Sequence, residues 1–314
     1  MLLTLMAVSV RLTQGFRGAQ EGSAGEPSSR SPFDGQRAFD DLERIVALGP
    51  RPPGSPSAEQ TRAIIRGVLE SVGLKFFEHE FEAHTPLGPT RMVNVVAIVE
   101  GDRPGIIALS NHYDTKLFSE FAFVGANDGG STTAWMMEMA RALGPNRKGR
   151  SVWLIWFDGE EAVKEWSKSD SLYGSRQFVE YLAEQGKLKD LHVLINVDMI
   201  GDCRLGVFRD AGAPGWLMNA IWSKAGELGL SGHFLARATT VDDDHMPFRL
   251  AGIPCINLID YEYGGSPEEH QRNWHTPNDT IERVCAPSLQ AVGDVIYHAL
   301  PVIEAYLNAQ TGPN

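Results

Sequence analysis

The stretch SVWLIWFDGEEA, residues 151–162, is the part of the chain that decides the fold. Residues 151–157 are almost continuously apolar, which is typical of a strand covered on both faces within a parallel sheet. The apolar run then gives way to three acids, Asp158, Glu160 and Glu161. Neighbouring carboxylates at the end of a buried strand repel one another unless a positive group compensates. The stretch therefore predicts a buried strand that ends at a polar site with a positive partner.

Other apolar runs alternate with amphipathic segments along the chain. Strands are predicted at 92–100, 105–110, 192–200 and 253–259, and helices at 131–143, 173–185, 215–229 and from about 287. A short polar turn joins the first two runs, which predicts that they are antiparallel neighbours. The alternation predicts an α/β fold, a three-layer sandwich whose central mixed, mainly parallel sheet is covered by helices.

Charge and the first residues limit the partners and the location of the protein. The 314 residues carry a formal net charge of -12, whereas nucleic acids and anionic membranes bind surfaces rich in Lys and Arg. We therefore expect no nucleic-acid partner and no stable membrane partner. Residues 1–10 are apolar and 11–30 are polar, which is typical of an export signal and a disordered linker. The sequence predicts this leader over 1–32, an exported protein, and a single catalytic α/β domain over 33–314.

The three cysteines, Cys203, Cys255 and Cys285, have apolar neighbours and no CxxC spacing. An odd number in such surroundings predicts mostly buried thiols, although one bridge is compatible with the count. A thiolate metal cluster is not expected, so any metal site must use histidine and carboxylate ligands.

Polar residues lie after the predicted strands, where open α/β sheets bind their ligands. They are His112, Asp114, Asp128, Glu160, Glu161, Asp198, Asp243, Asp244, His245 and His275. Taken singly, each has a plain structural explanation as a hydrogen-bonded histidine, a turn residue or a helix start. Carboxylates and imidazoles that reach one edge from separate segments would repel without a cation. Oxygen ligands with one or two histidines and no cysteine suit Zn²⁺ in a catalytic site.

Five motifs resemble those of the zinc aminopeptidase clan: NHYD (111–114), GAND (125–128), FDGEE (157–161), NVDMIGD (196–202) and WHTPNDT (274–280). In that clan two metals are bound by five residues, and Glu160 would be the general base. By position the five ligands are His112, Asp128, Glu161, Asp198 and His275.

A narrower set of motifs resembles the animal-type glutaminyl-peptide cyclotransferases, or glutaminyl cyclases. The set is FVGAND (123–128), FDGEEAVKEWSKSDSLYGSR (157–176), DDDHMPF (242–248) and NWH (273–275), of which WSKSDSLYGSR is the most specific. The resemblance implies a zinc-dependent, monomeric enzyme. Its partner would be a peptide or protein with an N-terminal glutamine, which it cyclises to pyroglutamate with release of ammonia.

The resemblance also implies a role for each site residue. One zinc per chain is favoured, held by Asp128, Glu161 and His275. Glu160 would be the acid/base, with Asp198 and Asp243 completing a hydrogen-bond network around it. Trp166 and Trp274 would wall the substrate pocket. Two metals are possible, because His112 and Asp198 could hold a second ion or belong to the network.

Four features depart from the cyclase pattern. Gly129 stands where the family usually has serine, and Asn257 where it often has histidine. Asn111 and Thr133 replace a cysteine pair, and the segment 260–272 looks longer.

Two other functions therefore stay open. The first is a co-catalytic di-zinc aminopeptidase, which would use the same residues to activate water. The second is a binding protein without activity. Such a protein would be expected to have lost metal ligands, and all of them are retained here.

Overall fold

The computed structural model describes residues 30–265 and 272–311, in which helices and strands alternate as expected. The helices are α1 (Gly35–Val46), α2 (Pro56–Val72), α3 (Thr132–Leu143), α4 (Tyr173–Glu184), α5 (Gly215–Glu227), α6 (His245–Leu250) and α7 (Ala286–Thr311). The strands are β1 (Lys75–Thr85), β2 (Gly88–His112), β3 (Asn146–Phe157), β4 (Leu191–Asp198), β5 (Val207–Asp210), β6 (Phe234–Thr239) and β7 (Cys255–Ile259).

A mixed sheet forms the centre of the molecule. Its long strand β2 has two arms, residues 88–101 and 103–112, and each arm has its own partners. β1 pairs antiparallel with the first arm, and β4 pairs parallel with the second arm. β7 pairs parallel with β4 at the far edge. The predicted α/β class with a mixed, mainly parallel sheet is confirmed.

β3 lies between the two arms of β2. Val95 is opposite Trp156 and Val99 is opposite Val152, so the first arm runs antiparallel to β3. Ile107 of the second arm is opposite the same Val152, and from there the residue numbers increase along both strands. The second arm therefore runs parallel to β3. The prediction that the two apolar runs are adjacent strands is therefore wrong. A strand as apolar as β3 needs cover on both faces, and the centre of the sheet provides it.

Helices cover both faces of the sheet. On one face α1, α2, α3, α5 and α7 enclose the larger core, with Trp135 of α3 fully buried. On the other face Phe178 of α4 and Phe248 of α6 pack against a smaller core around Phe157. The predicted three-layer sandwich is confirmed. The short strands β5 and β6 form a separate parallel pair, which the sequence reading missed.

A disulfide joins Cys203, in the segment after β4, to Cys285, just before α7. Backbone hydrogen bonds flank it, from Cys203 N to Arg283 O and from Cys285 N to Gly201 O. The prediction of mostly buried thiols is wrong for this pair, and Cys255 alone is a buried free thiol. The two bridged cysteines are 82 residues apart, so only the fold brings them together.

Replacing both bridged cysteines by serine is expected to lower the free energy of unfolding by roughly 2–4 kcal/mol, because a cross-link over a long loop restricts the unfolded chain. Chemical denaturation of the double variant beside the wild type measures this. Cys255→Ala is the control, since it removes a thiol without opening a loop. An unchanged free energy of unfolding for the double variant would contradict a stabilising role for the bridge.

No helix among the described residues is long and apolar enough to cross a membrane. The described part begins at residue 30, so nearly all of the predicted leader, 1–32, lies outside it. The leader and the export of the protein stay predictions.

Candidate metal centre

The carboxyl ends of the central strands bring the predicted site residues to one edge of the sheet. β2 ends at His112 and β4 ends at Asp198. Glu160 and Glu161 follow β3 directly, and His275 lies in the loops after β7. All of these except His275 are buried. The convergence expected from the strand ends is therefore found.

Asp128, Glu161 and His275 form the first group of donor atoms. His275 Nε2 lies 2.8 Å from Glu161 Oε1 and 3.3 Å from Asp128 Oδ2. One ligand atom from each of the three lies within 4.8 Å of the others. The fold thus assembles the three residues for which the sequence implied a shared zinc.

His112, Asp128 and Asp198 form a second group that shares Asp128 with the first. His112 Nε2 lies 3.2 Å from Asp128 Oδ1 and 3.3 Å from Asp198 Oδ1. The two oxygens of Asp128 therefore face different groups. A carboxylate in this position can hold one metal ion or bridge two.

The donor atoms fit zinc in number and chemistry, and three of the four separations given above are close to the spacing around a bound ion, whereas His275 Nε2 and Glu161 Oε1 are hydrogen-bonded at 2.8 Å. Zinc bonds to nitrogen and oxygen are about 2.0–2.2 Å long, so the donors of a tetrahedral ion lie about 3.3–3.6 Å apart. Buried atoms of both groups also lack hydrogen bonds among the described residues, namely both ring nitrogens of His112, Oδ2 of Asp128 and Oε2 of Glu161. Orphaned buried polar atoms are costly, and a cation would satisfy them.

Burial and crowding perturb the acids around these groups. Burial raises the pKa of Glu160 well above its ordinary value, and nearby Glu161 and Asp243 raise it further. Burial alone would lower the pKa of His275, but Glu161 and Asp128 outweigh it and raise the pKa to about 10. The Lys116 ammonium lies 3.9 Å from Glu161 Oε2 and compensates only part of the negative charge of the clustered carboxylates. A divalent cation would relieve the remaining repulsion.

The loop that carries Asp128 is held by Asp279, to which the sequence reading gave no role. The carboxylate of Asp279 accepts the N–H groups of Asn127 and Asp128 at 2.8 and 3.1 Å. The buried hydroxyl of Tyr263 donates to Asp279 at 2.7 Å. Gly201 N donates to the side-chain oxygen of Asn127. Asp279 belongs to the quoted motif WHTPNDT, but only its burial, which needs the fold, reveals that it orients the Asp128 loop.

Asp114 fixes the two glutamates in the same way. Its carboxylate accepts the backbone N–H groups of Glu160 and Glu161 at 3.1 and 3.3 Å. Asp114 Oδ1 also lies 3.5 Å from His112 Nδ1. The sequence placed Asp114 at the strand end without a role, and the structure makes it the anchor of both neighbouring motifs.

Gly129 is required by the conformation of its loop. Its φ is +74°, in the left-handed region that favours glycine, and a Cβ there would lie 2.6 Å from Asp114 O and 3.0 Å from His112 Cε1. The serine implied by the resemblance would therefore displace the backbone of Asp114 or the ring of His112.

The Gly129→Ser variant is expected to lose roughly 1–3 kcal/mol of stability from backbone strain alone. Because the clash moves His112 and Asp114, zinc affinity should fall as well, by about tenfold or more. Thermal unfolding and competition with a chelator measure the two effects. Gly144→Ala is the matched control, since Gly144 also has a positive φ but a Cβ there meets nothing within 4 Å. Unchanged zinc affinity in the serine variant would contradict the predicted displacement.

Two residues of the site have strained backbone. Met199, next to Asp198, has φ +46°, and His275 has φ +54°. Non-glycine residues in this region cost of the order of 1–3 kcal/mol each and persist only where the surroundings enforce them. In this conformation the His275 ring lies against Glu161 and Asp128.

A cavity of about 420 Å³ opens onto the donor groups. Trp166 and Trp274, the two predicted wall residues, both line it, as do Glu160 and Asp243. Trp166 is 44% exposed at the mouth. The Trp274 ring stacks on His275 with a centroid separation of 3.9 Å. The cavity is large enough for a small organic ligand, and both carboxylates and aromatic side chains line it.

Trp166 reaches the cavity from the insertion that follows the glutamate pair. Asp170 organises this loop by accepting the N–H groups of Val163, Lys164 and Glu165 at 2.8–2.9 Å. The Tyr173 hydroxyl donates to the same carboxylate at 2.9 Å. The insertion is therefore a built loop that presents Trp166.

Asp198 and Asp243 line the cavity with Glu160, and each has a further polar contact. Asp198 lies against His112. Asp243 Oδ2 accepts from Asn257 Nδ2 at 2.8 Å. Asn257, the departure from the expected histidine, thus takes the position of a donor to Asp243.

Residues 94–300 match peptidase family M28, so the chain belongs to that family. The chain is similar to the glutaminyl-peptide cyclotransferase of Boiga irregularis, with 29% identity over 290 residues that cover 78% of this chain and 75% of that protein.

Two solved structures extend the comparison. The crystal structure of a glutaminyl cyclase from an Acidobacteriales bacterium is 36% identical, with a TM-score of 0.82 over 92% of this chain and 100% of that one. The glutaminyl cyclase of Porphyromonas gingivalis is 26% identical, with a TM-score of 0.77 over 87% and 99%. The resemblance inferred from the motifs is confirmed.

Proposed function

We propose that this chain is a zinc-dependent glutaminyl-peptide cyclotransferase. It cyclises the N-terminal glutamine of a peptide or protein to pyroglutamate and releases ammonia. The observation that carries the proposal is the loop organised by Asp170, which places Trp166 over a cavity floored by Glu160, Glu161 and Asp128. Sequence identity of 36% to a glutaminyl cyclase supports the same chemistry.

The reaction forms a bond between the substrate's own α-amino nitrogen and its side-chain carbonyl carbon, and it breaks the bond from that carbon to the amide nitrogen. Asp128, Glu161 and His275 would hold zinc, which when bound polarises the side-chain carbonyl. Glu160 accepts a proton from the attacking amine and returns it to the departing nitrogen, which leaves as ammonia. The raised pKa of Glu160 suits a group that must both take and give a proton.

The other residues prepare the reactants. Trp166 and Trp274 hold the glutamine side chain folded back towards its own amine. The bound peptide has therefore already lost the conformational freedom that a free peptide would lose on reaching the transition state, which lowers the barrier. Asp114 keeps the backbone of Glu160 in place. Asp243 lines the same cavity and can accept from the substrate's amine. Asp198 also lines the cavity, and His112 lies against Asp198 behind it.

A di-zinc aminopeptidase is the second candidate, favoured by the shared position of Asp128 between two donor groups. The two activities separate in one experiment. Purified protein with its zinc content measured is given a Gln-initiated peptide and, separately, leucine-p-nitroanilide. Ammonia release from the peptide with one zinc per chain supports the cyclase, and released nitroaniline with two zincs per chain supports the aminopeptidase.

The location and the assembly of the protein are proposed from the same features. The apolar first residues favour export, and the disulfide between Cys203 and Cys285 favours an oxidising compartment. Because the chain is acidic, we propose peptides as its partners rather than nucleic acids. A monomer follows from the resemblance.

A further inference from the structure

A row of polar side chains crosses the interior of the sheet beneath the metal centre. Ser110 of β2 is directly opposite Asn196 of β4, and Asn196 is directly opposite Asn257 of β7. All three are buried. Most of their neighbours along the strands are apolar, among them Leu109, Ile195 and Leu258. Burying three polar groups here carries a cost that apolar residues would avoid.

The row is connected by hydrogen bonds that run in one direction. The Ser110 hydroxyl donates to Asn196 Oδ1 at 2.7 Å. Asn196 Nδ2 donates to Asn257 Oδ1 at 3.1 Å. Asn257 Nδ2 then donates to Asp243 Oδ2 at 2.8 Å. Each donation polarises the next group, so the row ends in a strengthened donor that faces Asp243.

The carboxylate at the end of the row determines how both amides are oriented. An ionised carboxylate has no proton to donate, so Asp243 Oδ2 acts only as an acceptor. The amide nitrogen of Asn257, which is a donor, must therefore face it. The oxygen of Asn257 then faces Asn196 and needs a nitrogen there. The oxygen of Asn196 in turn needs the hydroxyl of Ser110. Turning either amide around would place like groups together and leave buried atoms unsatisfied.

The position of the row connects it to the site. Side chains at alternate strand positions point to the same face, so Ser110 and Asn196 lie one step below His112 and Asp198. Asp243 at the end of the row lines the cavity. Its other oxygen, Oδ1, accepts the backbone N–H of Asp244 at 2.5 Å. Both oxygens are thereby oriented, and their remaining lone pairs are left for a group in the cavity.

We propose that Ser110, Asn196 and Asn257 are positioning residues that hold the Asp243 carboxylate in the orientation that accepts from the substrate's α-amino group. The proposal rests on the proposed cyclase function for the identity of that substrate. The row sets the direction in which Asp243 faces, and none of its three members touches the reacting atoms.

The kinetic test is a double-variant cycle between Asn257→Leu and Asp243→Asn. Asn257→Leu removes the donor at nearly constant volume and is expected to lower kcat about tenfold to a hundredfold, with KM within about threefold and zinc content unchanged. In the Asp243→Asn background the same change should have no further effect. Asn257→His should restore kcat to within about threefold, because a neutral imidazole also offers a donor on one side and an acceptor on the other.

The opposite kinetic results would overturn the proposal. A role in stability alone predicts that Asn257→Leu lowers the melting temperature but leaves kcat of the folded, zinc-loaded protein unchanged. Losses that multiply in the double variant would mean that Asn257 acts independently of Asp243. Either result removes the positioning role.

A second measurement does not depend on activity. Ser110→Ala removes the first donor, so the side-chain amide protons of Asn257, two steps away, should exchange with solvent about tenfold faster in NMR spectra. Thr61→Val, which removes a buried hydroxyl from α2 outside the row, is the control. Unchanged exchange in Ser110→Ala would overturn the coupling within the row. A wild-type protein that forms no pyroglutamate but shows this coupling would refute the proposed function and leave the row intact as a support of Asp243.

Discussion

Glu160→Gln is expected to lower kcat for cyclisation of a Gln-initiated peptide by roughly a hundredfold to ten-thousandfold. Glutamine keeps the shape of the side chain and the backbone hydrogen bond to Asp114, but it cannot accept the proton of the attacking amine. The proposed ligands Asp128, Glu161 and His275 are untouched, so the zinc content should stay that of the wild type. Initial rates and elemental analysis of the same preparation measure both quantities.

Glu165→Gln is the matched control, because Glu165 is an exposed glutamate in the loop after the pair. It should retain the rate of the wild type. If Glu160→Gln kept near full activity, Glu160 would not be the proton shuttle. If it lost its zinc as well, the loss of rate would reflect the metal site and not the proton transfer.

His275→Ala is expected to weaken zinc binding at least a hundredfold, more than the tenfold to hundredfold typical of lost groups outside the ligand set. The imidazole supplies the nitrogen that lies 2.8 Å from Glu161 and 3.3 Å from Asp128. Alanine leaves two carboxylates facing each other with one donor fewer. Competition with a graded series of chelators gives the affinity, and the melting temperature with and without zinc gives a second measure.

His84→Ala controls for the loss of a histidine, since His84 is exposed in β1 and belongs to neither donor group. It should bind zinc as the wild type does. Retention of zinc by His275→Ala under chelation would remove His275 from the ligand set and favour a metal held by His112, Asp128 and Asp198 instead.

The sequence predicted the layers and the site edge better than the order of the strands. Apolar runs such as 151–157 mark buried strands because their composition follows directly from burial on two faces. Which strand lies beside which depends on contacts between distant segments, and the insertion of β3 between the arms of β2 has no local signal. The disulfide was missed for the same reason.

Some residues of the site could be predicted from the sequence, and others could not. Proposed ligands such as Asp128 and His275 stand in motifs, so the sequence could place them at one edge of the sheet. Residues that hold the proposed ligands in place, such as Asp114 and Asp279, accept backbone N–H groups of other segments. That role depends on burial and on loop conformation, which the motif itself does not reveal.

The reaction proposed for this site closes a ring and does not cut a chain. The most direct test is the mass of a Gln-initiated peptide before and after incubation with the zinc-loaded protein, beside the Glu160→Gln variant. Cyclisation gives a product lighter by one ammonia and unchanged in length, and we expect the wild type to form it and the variant not to. A product shortened by its N-terminal residue, or a peptide of unchanged mass, would contradict this expectation.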